Sequence, residues 1–225
     1  SNTTGASNVA VGLGALDGNT TASSNTAVGY AALLSNTTGE VNSAFGYAAL
    51  YTNTTGYGNT AVGKNALYTN NANNNTAVGH EALELTTTGA GNTAVGRQAL
   101  EVNTTGASNV GIGYGALGAN TTGHSNVAVG NACLDANTTG NYNTAVGLNA
   151  LSAVTTGTDN VAMGDYALFN NLAASNTALG SDSMIANTTG TYNTAVGAIS
   201  LDANTTADSN TAVGYAALTA NIIST

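Results

Sequence analysis

The residues best suited to chemistry gather in one stretch, where Glu81, Glu84 and Glu101 lie near Lys64 and Arg97 in the sequence. Paired carboxylates can exchange protons with a substrate, and a larger oxygen set can hold calcium. No repeating Asp-rich loop accompanies these three, so a solvated acidic face is the expected reading. His80 and His124 are the only histidines and Cys133 the only cysteine. One cysteine excludes an intrachain disulfide and a cysteine-rich metal site. Flanked by Ala132 and Leu134, Cys133 reads as a small buried apolar residue. No Ser, His and Asp set has role-specific spacing, and the glycines do not form a phosphate loop. These residues assign no catalytic group, cofactor site or metal ligand, and they argue against an enzyme.

Composition narrows the partners. Two Lys and Arg face 11 Asp and Glu across 225 residues, a formal charge of -9. That balance lacks the basic footprint of a nucleic-acid or anionic-membrane binder. Charged residues make up only 6% and hydrophobic ones 42%, which is not the profile of a highly charged disordered chain. The apolar residues are spread too evenly for a membrane helix, which needs ~20 in succession. The chain opens at Ser1 without a Met, and it is read as a piece of a longer protein.

What positions every residue is a repeat. Asn, a small apolar triplet and Gly recur with the Asn at 8, 25, 42, 59, 75, 92, 109, 126, 143, 160, 176, 193 and 210. Ten of the twelve intervals are equal, a 17-residue repeat, and two are one residue shorter. Residues 1–225 are therefore a single array of thirteen copies without a second domain. With NTAVGYAALLSNTTGEV (25–41) as the type, position 1 is always Asn and position 5 always Gly. Position 3 is Ala except at Gly111, position 4 is large and apolar throughout, and positions 8 and 9 are nearly always Ala and Leu. All 13 charged residues fall at positions 6, 7, 10, 16 and 17, which are therefore expected to face water. The two histidines lie two copies apart, about 10 Å or more along a stacked array and too far to share a metal. Both short copies lose a residue within 70–74 or 171–175, so that segment reads as a loop.

Asn-Thr-Ala-Val alternates like a short strand, with Thr and Val on one face and Asn and Ala on the other. The Gly at position 5 suits a tight corner, Asn-Thr-Thr-Gly reads as a turn, and the Ala-Leu pair between them fits either a second strand or a helical turn. Antiparallel hairpins would show recurrent Asn-Gly or Asp-Gly turns, and Asn-Gly never occurs. The expected fold is therefore all-β, a parallel β-roll or β-solenoid in which each position meets its own kind about 4.8 Å above and below. The thirteen Asn would form a ladder, each amide donating to one neighbour and accepting from the other. Val at position 4 and Leu at position 9 either both fill a thin interior, or one row points outward against another chain. Thirteen coils would form a rod of about 62 Å, and so thin a roll favours association into a homotrimer.

The phrases NTAVGYAAL (25–33 and 210–218) and SNVAVG (7–12 and 125–130) resemble the head repeats of YadA-like trimeric autotransporter adhesins. The NTAVGYxAL and NTTG array is also similar to repeats of bacteriophage and bacterial tail fibres. The resemblance covers essentially the whole chain, although the adhesin repeat is shorter because its Asn-Thr-Thr-Gly segment is shorter. It implies a left-handed β-roll, three chains packed around an axis, and an extracellular, cell-surface or virion-surface location.

The expected function is thus a structural and adhesive fibre segment: an adhesin head or stalk, a tail fibre or a filament-forming subunit. Its partners would be copies of itself and a cell-surface or glycan receptor. An ice-binding solenoid presenting a Thr array is the alternative, drawn from the paired threonines that recur at 3 and 4, 20 and 21, 37 and 38 and onward. Asn-Thr-Thr also fits the N-glycosylation sequon at Asn2, Asn19, Asn36, Asn53, Asn103, Asn120, Asn137, Asn187 and Asn204, which are glycosylation candidates on a secreted route.

Overall fold

The computed structural model describes residues 2–220, and it is all-β. Its contacts divide into two compact units, Ser1–Gly111 and Ile112–Thr225. Each is a parallel β-solenoid built from the same coil. Position 2 to position 4 of every copy forms a three-residue strand, from Val9–Val11 to Thr211–Val213. Neighbouring strands within each unit pair in parallel with like positions in register: Ala27 opposite Ala44, Phe45 opposite Val62, Ala145 opposite Ala162.

The rest of the coil is turns, so the Ala-Leu pair is neither a second strand nor a helix. It still carries a ladder of its own. Leu33 N–H donates to the Ala49 carbonyl of the next coil at 2.9 Å, and Leu50 N–H to Ala66 at 3.0 Å. Ala48 N–H reaches back to Tyr30 of the preceding coil at 2.9 Å. Coil-to-coil main-chain bonds therefore run around most of the circuit, which is how so short a strand suffices.

Closing so short a circuit requires backbone that bends left-handed. Positions 7, 9 and 17 hold a positive φ in coil after coil, as in Ala31 (54°), Leu33 (50°) and Val41 (58°). Left-handed backbone costs an ordinary residue ~1–2 kcal/mol, so coil stacking must offset three such residues per repeat. At position 5 no other residue fits. Gly46 has a φ of 136°, and a Cβ there would lie 2.5 Å from the Gly63 carbonyl oxygen. The Gly of Asn-Thr-Thr-Gly needs no positive φ. It is small because another backbone and a side chain crowd it: a Cβ on Gly39 would lie 2.5 Å from Asn36 Oδ1.

The interior is thin and uniform. Away from the first and last copies, Ala at positions 3 and 8 and Leu at position 9 are buried, with Ala44, Ala49 and Leu50 fully so. Position 4 is the row that points outward: Phe45 is 41% exposed, Val62 37% and Met163 46%. Phe in place of Val is accommodated at residue 45 because that side chain never enters the roll. Of the positions expected to face water, 7 and 10 are often only half-exposed, as at Glu81, Glu84 and Glu101.

Candidate functional site

Two asparagine columns run through the interior. The position 1 residues, such as Asn25, Asn42 and Asn59, are fully buried. Their partners are mostly main chain rather than each other, which corrects the expected amide-to-amide ladder. Asn25 Nδ2 donates to the Gly39 carbonyl at 2.8 Å, while its Oδ1 accepts the Asn42 backbone N–H at 2.9 Å. Asn42, Asn75, Asn126, Asn143 and Asn176 repeat this clamp. Direct amide-to-amide bonds supplement it, as from Asn59 to Asn42, Asn109 to Asn92, Asn160 to Asn143 and Asn210 to Asn193. Each side chain therefore stitches the strand entrance to the loop and to the next coil, satisfying amides whose burial would otherwise be costly.

The column is not uniform to its ends. Asn8, expected to be a rung like the others, is only half-buried, because the described residues before it supply no more than part of a coil to cover it. It keeps the clamp all the same: Asn8 Nδ2 donates to the Ala22 carbonyl at 2.8 Å, and its Oδ1 accepts the Asn25 backbone N–H at 2.9 Å. Asn210, in the last copy of the second unit, is half-buried too.

The more continuous amide ladder lies at position 12, the Asn of Asn-Thr-Thr, which reads as a turn in the sequence. Asn36 Nδ2 donates to Asn19 Oδ1 at 3.0 Å, and Asn53 to Asn36 at 3.0 Å. Each also donates to its own position 15 carbonyl, Asn36 to Gly39 at 2.9 Å. Asn137 with Asn120, and Asn204 with Asn187, continue the pattern in the second unit. Two copies break it. Thr86 leaves its hydroxyl without a partner, and Val154 cannot donate to Asn137 Oδ1, which is likewise buried and unpaired. The signal in the sequence is the 17-residue spacing of this Asn, masked by the sequon that shares it.

This placement bears directly on the sequons. Asn19, Asn36, Asn53, Asn103, Asn120, Asn137, Asn187 and Asn204 are buried, and each donates its side-chain nitrogen inward. A glycan bonded to that nitrogen would have no exit from the coil. Asn2 alone of the nine is exposed.

The charged stretch does converge. Carboxylate oxygens of Glu81, Glu84 and Glu101 lie within 4.8 Å of one another. Burial, then the neighbouring Glu81 and Glu101 charges, push the Glu84 carboxyl above its ordinary value. Asn65 Nδ2 donates to Glu84 at 3.3 Å, and Gln98 Nε2 contacts Glu81 and Glu101 at 3.3 Å each. With one oxygen from each, the three carboxylates supply half of the six or more that a calcium ion takes. His80 Nδ1 sits 3.2 Å from Glu81, whereas His124 packs edge-on against Tyr142 with ring centres 5.0 Å apart. Cys133 is buried, and that burial raises its thiol to about 12, leaving it protonated and unreactive at neutral pH.

Beside the acidic cluster the surface forms an open groove of about 720 Å³, lined by Tyr47, Lys64, Asn65, Tyr68 and Glu84. Tyr30 and Tyr47 stack at position 6 of successive coils with ring centres 5.0 Å apart. Tyr51 and Tyr68 stack at position 10, also at 5.0 Å and nearly parallel at 4°. Each pair spans one repeat, so reading the variable positions down the copies finds both columns.

No family model matches the chain, and neither a curated protein nor a solved structure does.

Proposed function

We propose that the chain is a structural and adhesive segment of an extracellular fibre, an adhesin head or stalk, a tail fibre or a filament subunit, and that it self-associates as a homotrimer. The observation that supports this is the position 4 row. Every copy places a large apolar residue there, yet Val78 is 37% exposed and Val95 36%. An apolar stripe repeated along a sheet face marks an interaction surface, and the residues flanking it at position 2 are Thr, Val or Ser, which pack well across a β face. The buried rows hold each coil together, and this outward row is left for a second chain.

The resemblance to adhesin and tail-fibre repeats agrees with this reading. It implies a cell-surface or virion-surface location and an extended segment that carries attachment. Charging the row tests it: Val62→Lys with Val95→Lys should abolish assemblies seen by electron microscopy while leaving the circular dichroism spectrum intact. Assemblies that survive the double substitution would sink the proposal.

The ice-binding alternative draws less support. Position 13 hydroxyls donate along the stack to the next coil, Thr37 Oγ1 to the Thr54 carbonyl at 3.0 Å and Thr188 to Thr205 at 2.9 Å. Hydroxyls so engaged do not form a flat, freely presented array. Measured thermal hysteresis would revive that reading, and its absence is the expected result.

A further inference from the structure

The Tyr47–Tyr68 groove has a chemistry that the fibre reading does not need. The two tyrosine columns end within one coil of each other. At position 6, Tyr30 and Tyr47 are followed by Lys64; at position 10, Tyr51 and Tyr68 are followed by Glu84. Asn65 lies between these rows at position 7, bonded to Glu84 at 3.3 Å. The groove thus joins aromatic surface to an ammonium group, an amide and a carboxylate within one small volume. Most of the polar capacity remains unused: the Lys64 ammonium has three protons to donate, and the Glu84 carboxylate can accept further bonds beyond that from Asn65.

We propose that this groove binds an uncharged saccharide. A pyranose has a C–H face that packs on an aromatic ring and a rim of hydroxyls that both donate and accept. The groove supplies the counterpart of each, and its volume falls within the ~300–1,000 Å³ of small-ligand clefts. Charge sets the class. Glu84 in the groove, with Glu81 and Glu101 beside it, repels a carboxylated or sulfated sugar. The site deepens the adhesive reading by giving it a receptor chemistry, and it rests on that reading only for its biological role.

The test uses the whole chain and saturation-transfer NMR. The uncharged probes are maltotriose, lactose and chitotriose; sialyllactose and a heparin disaccharide are the charged ones. At least one uncharged probe should receive saturation, with affinity falling about tenfold or more in Tyr47→Ala and Tyr68→Ser, about 1.4 kcal/mol. Both substitutions use residues that the array already carries at those positions, Ala198 and Ser152, so the coil should tolerate them. Tyr192→Ala, which removes an exposed tyrosine of the other unit, should bind as the parent does. The proposal is overturned by saturation of the charged probes alone, by none at all, or by binding that persists undiminished in both groove variants. Light scattering on the same samples reads assembly separately, so a lost saccharide site is distinguishable from a lost fibre.

Discussion

Val154→Asn should stabilise the protein although it buries a polar group in place of an apolar one. Val154 interrupts the position 12 ladder and leaves Asn137 Oδ1 buried without a donor. Its other neighbour turns elsewhere, since Asn171 Nδ2 reaches Asn160 Oδ1 at 3.4 Å. An Asn at 154 would donate to Asn137, donate to the Gly157 carbonyl as Asn137 does to Gly140 at 3.1 Å, and accept from Asn171. Relieving the orphaned oxygen is worth ~1–3 kcal/mol and the bond to Gly157 ~0.5–1.5, while a bond from Asn171 only replaces the one it now gives Asn160. Against this stand ~1.5–3 kcal/mol for the lost burial of the Val side chain. The balance is a gain of about 1 kcal/mol. Native-state hydrogen exchange is the suitable assay because repeat stacks open locally: the amides of 137–171 should slow, while those of the first unit stay unchanged. Faster exchange in that segment would refute the view that the ladder is a source of stability.

Two further predictions follow from the same coil. Ile199→Asn should stabilise by about 0.5–1 kcal/mol, read from urea unfolding, because a β-branched residue sits at a φ of 51° where Asn is better tolerated. Glu84 is bound more readily to a proton when folded than when unfolded, since its pKa is raised from 4.5. Stability should therefore rise as pH falls from neutral through the Glu84 pKa toward 4.5, and Glu84→Gln should stabilise at neutral pH and flatten that slope. An unaltered pH profile of urea midpoints in Glu84→Gln would count against the crowded-carboxylate account.

Much of the fold is legible in the sequence because each position answers its own copy one repeat away. The Ala of position 3 and the Leu of position 9 are invariant enough to mark an interior, and Gly at position 5 marks a corner that admits no Cβ. The direction of the position 4 row is not legible, since Val suits either side of a strand; only the 41% exposure of Phe45 decides it. Position 9 conceals its left-handed backbone entirely, because Leu there looks like an ordinary core residue. Position 7 hints at it through Gly14, Asn65 and Gly115. Asn36 looks like a turn residue because the threonines after it spell a sequon, yet its amide is a rung inside the coil. Nor does an identical Asn at every position 1 reveal that Asn8 is half-buried, since burial there depends on the coil stacked beside it. Reading down the copies finds the tyrosines at positions 6 and 10, but the groove between Tyr47 and Tyr68 stays hidden, because nothing in the repeat places those two positions on one surface.

The mass of the chain in solution tests the central claim most directly. If the outward apolar row joins three copies, light scattering should return three times the 21.9 kDa of one chain, stable on dilution into the micromolar range. A single-chain mass at millimolar concentration, with the parallel-coil circular dichroism signal intact, would contradict it.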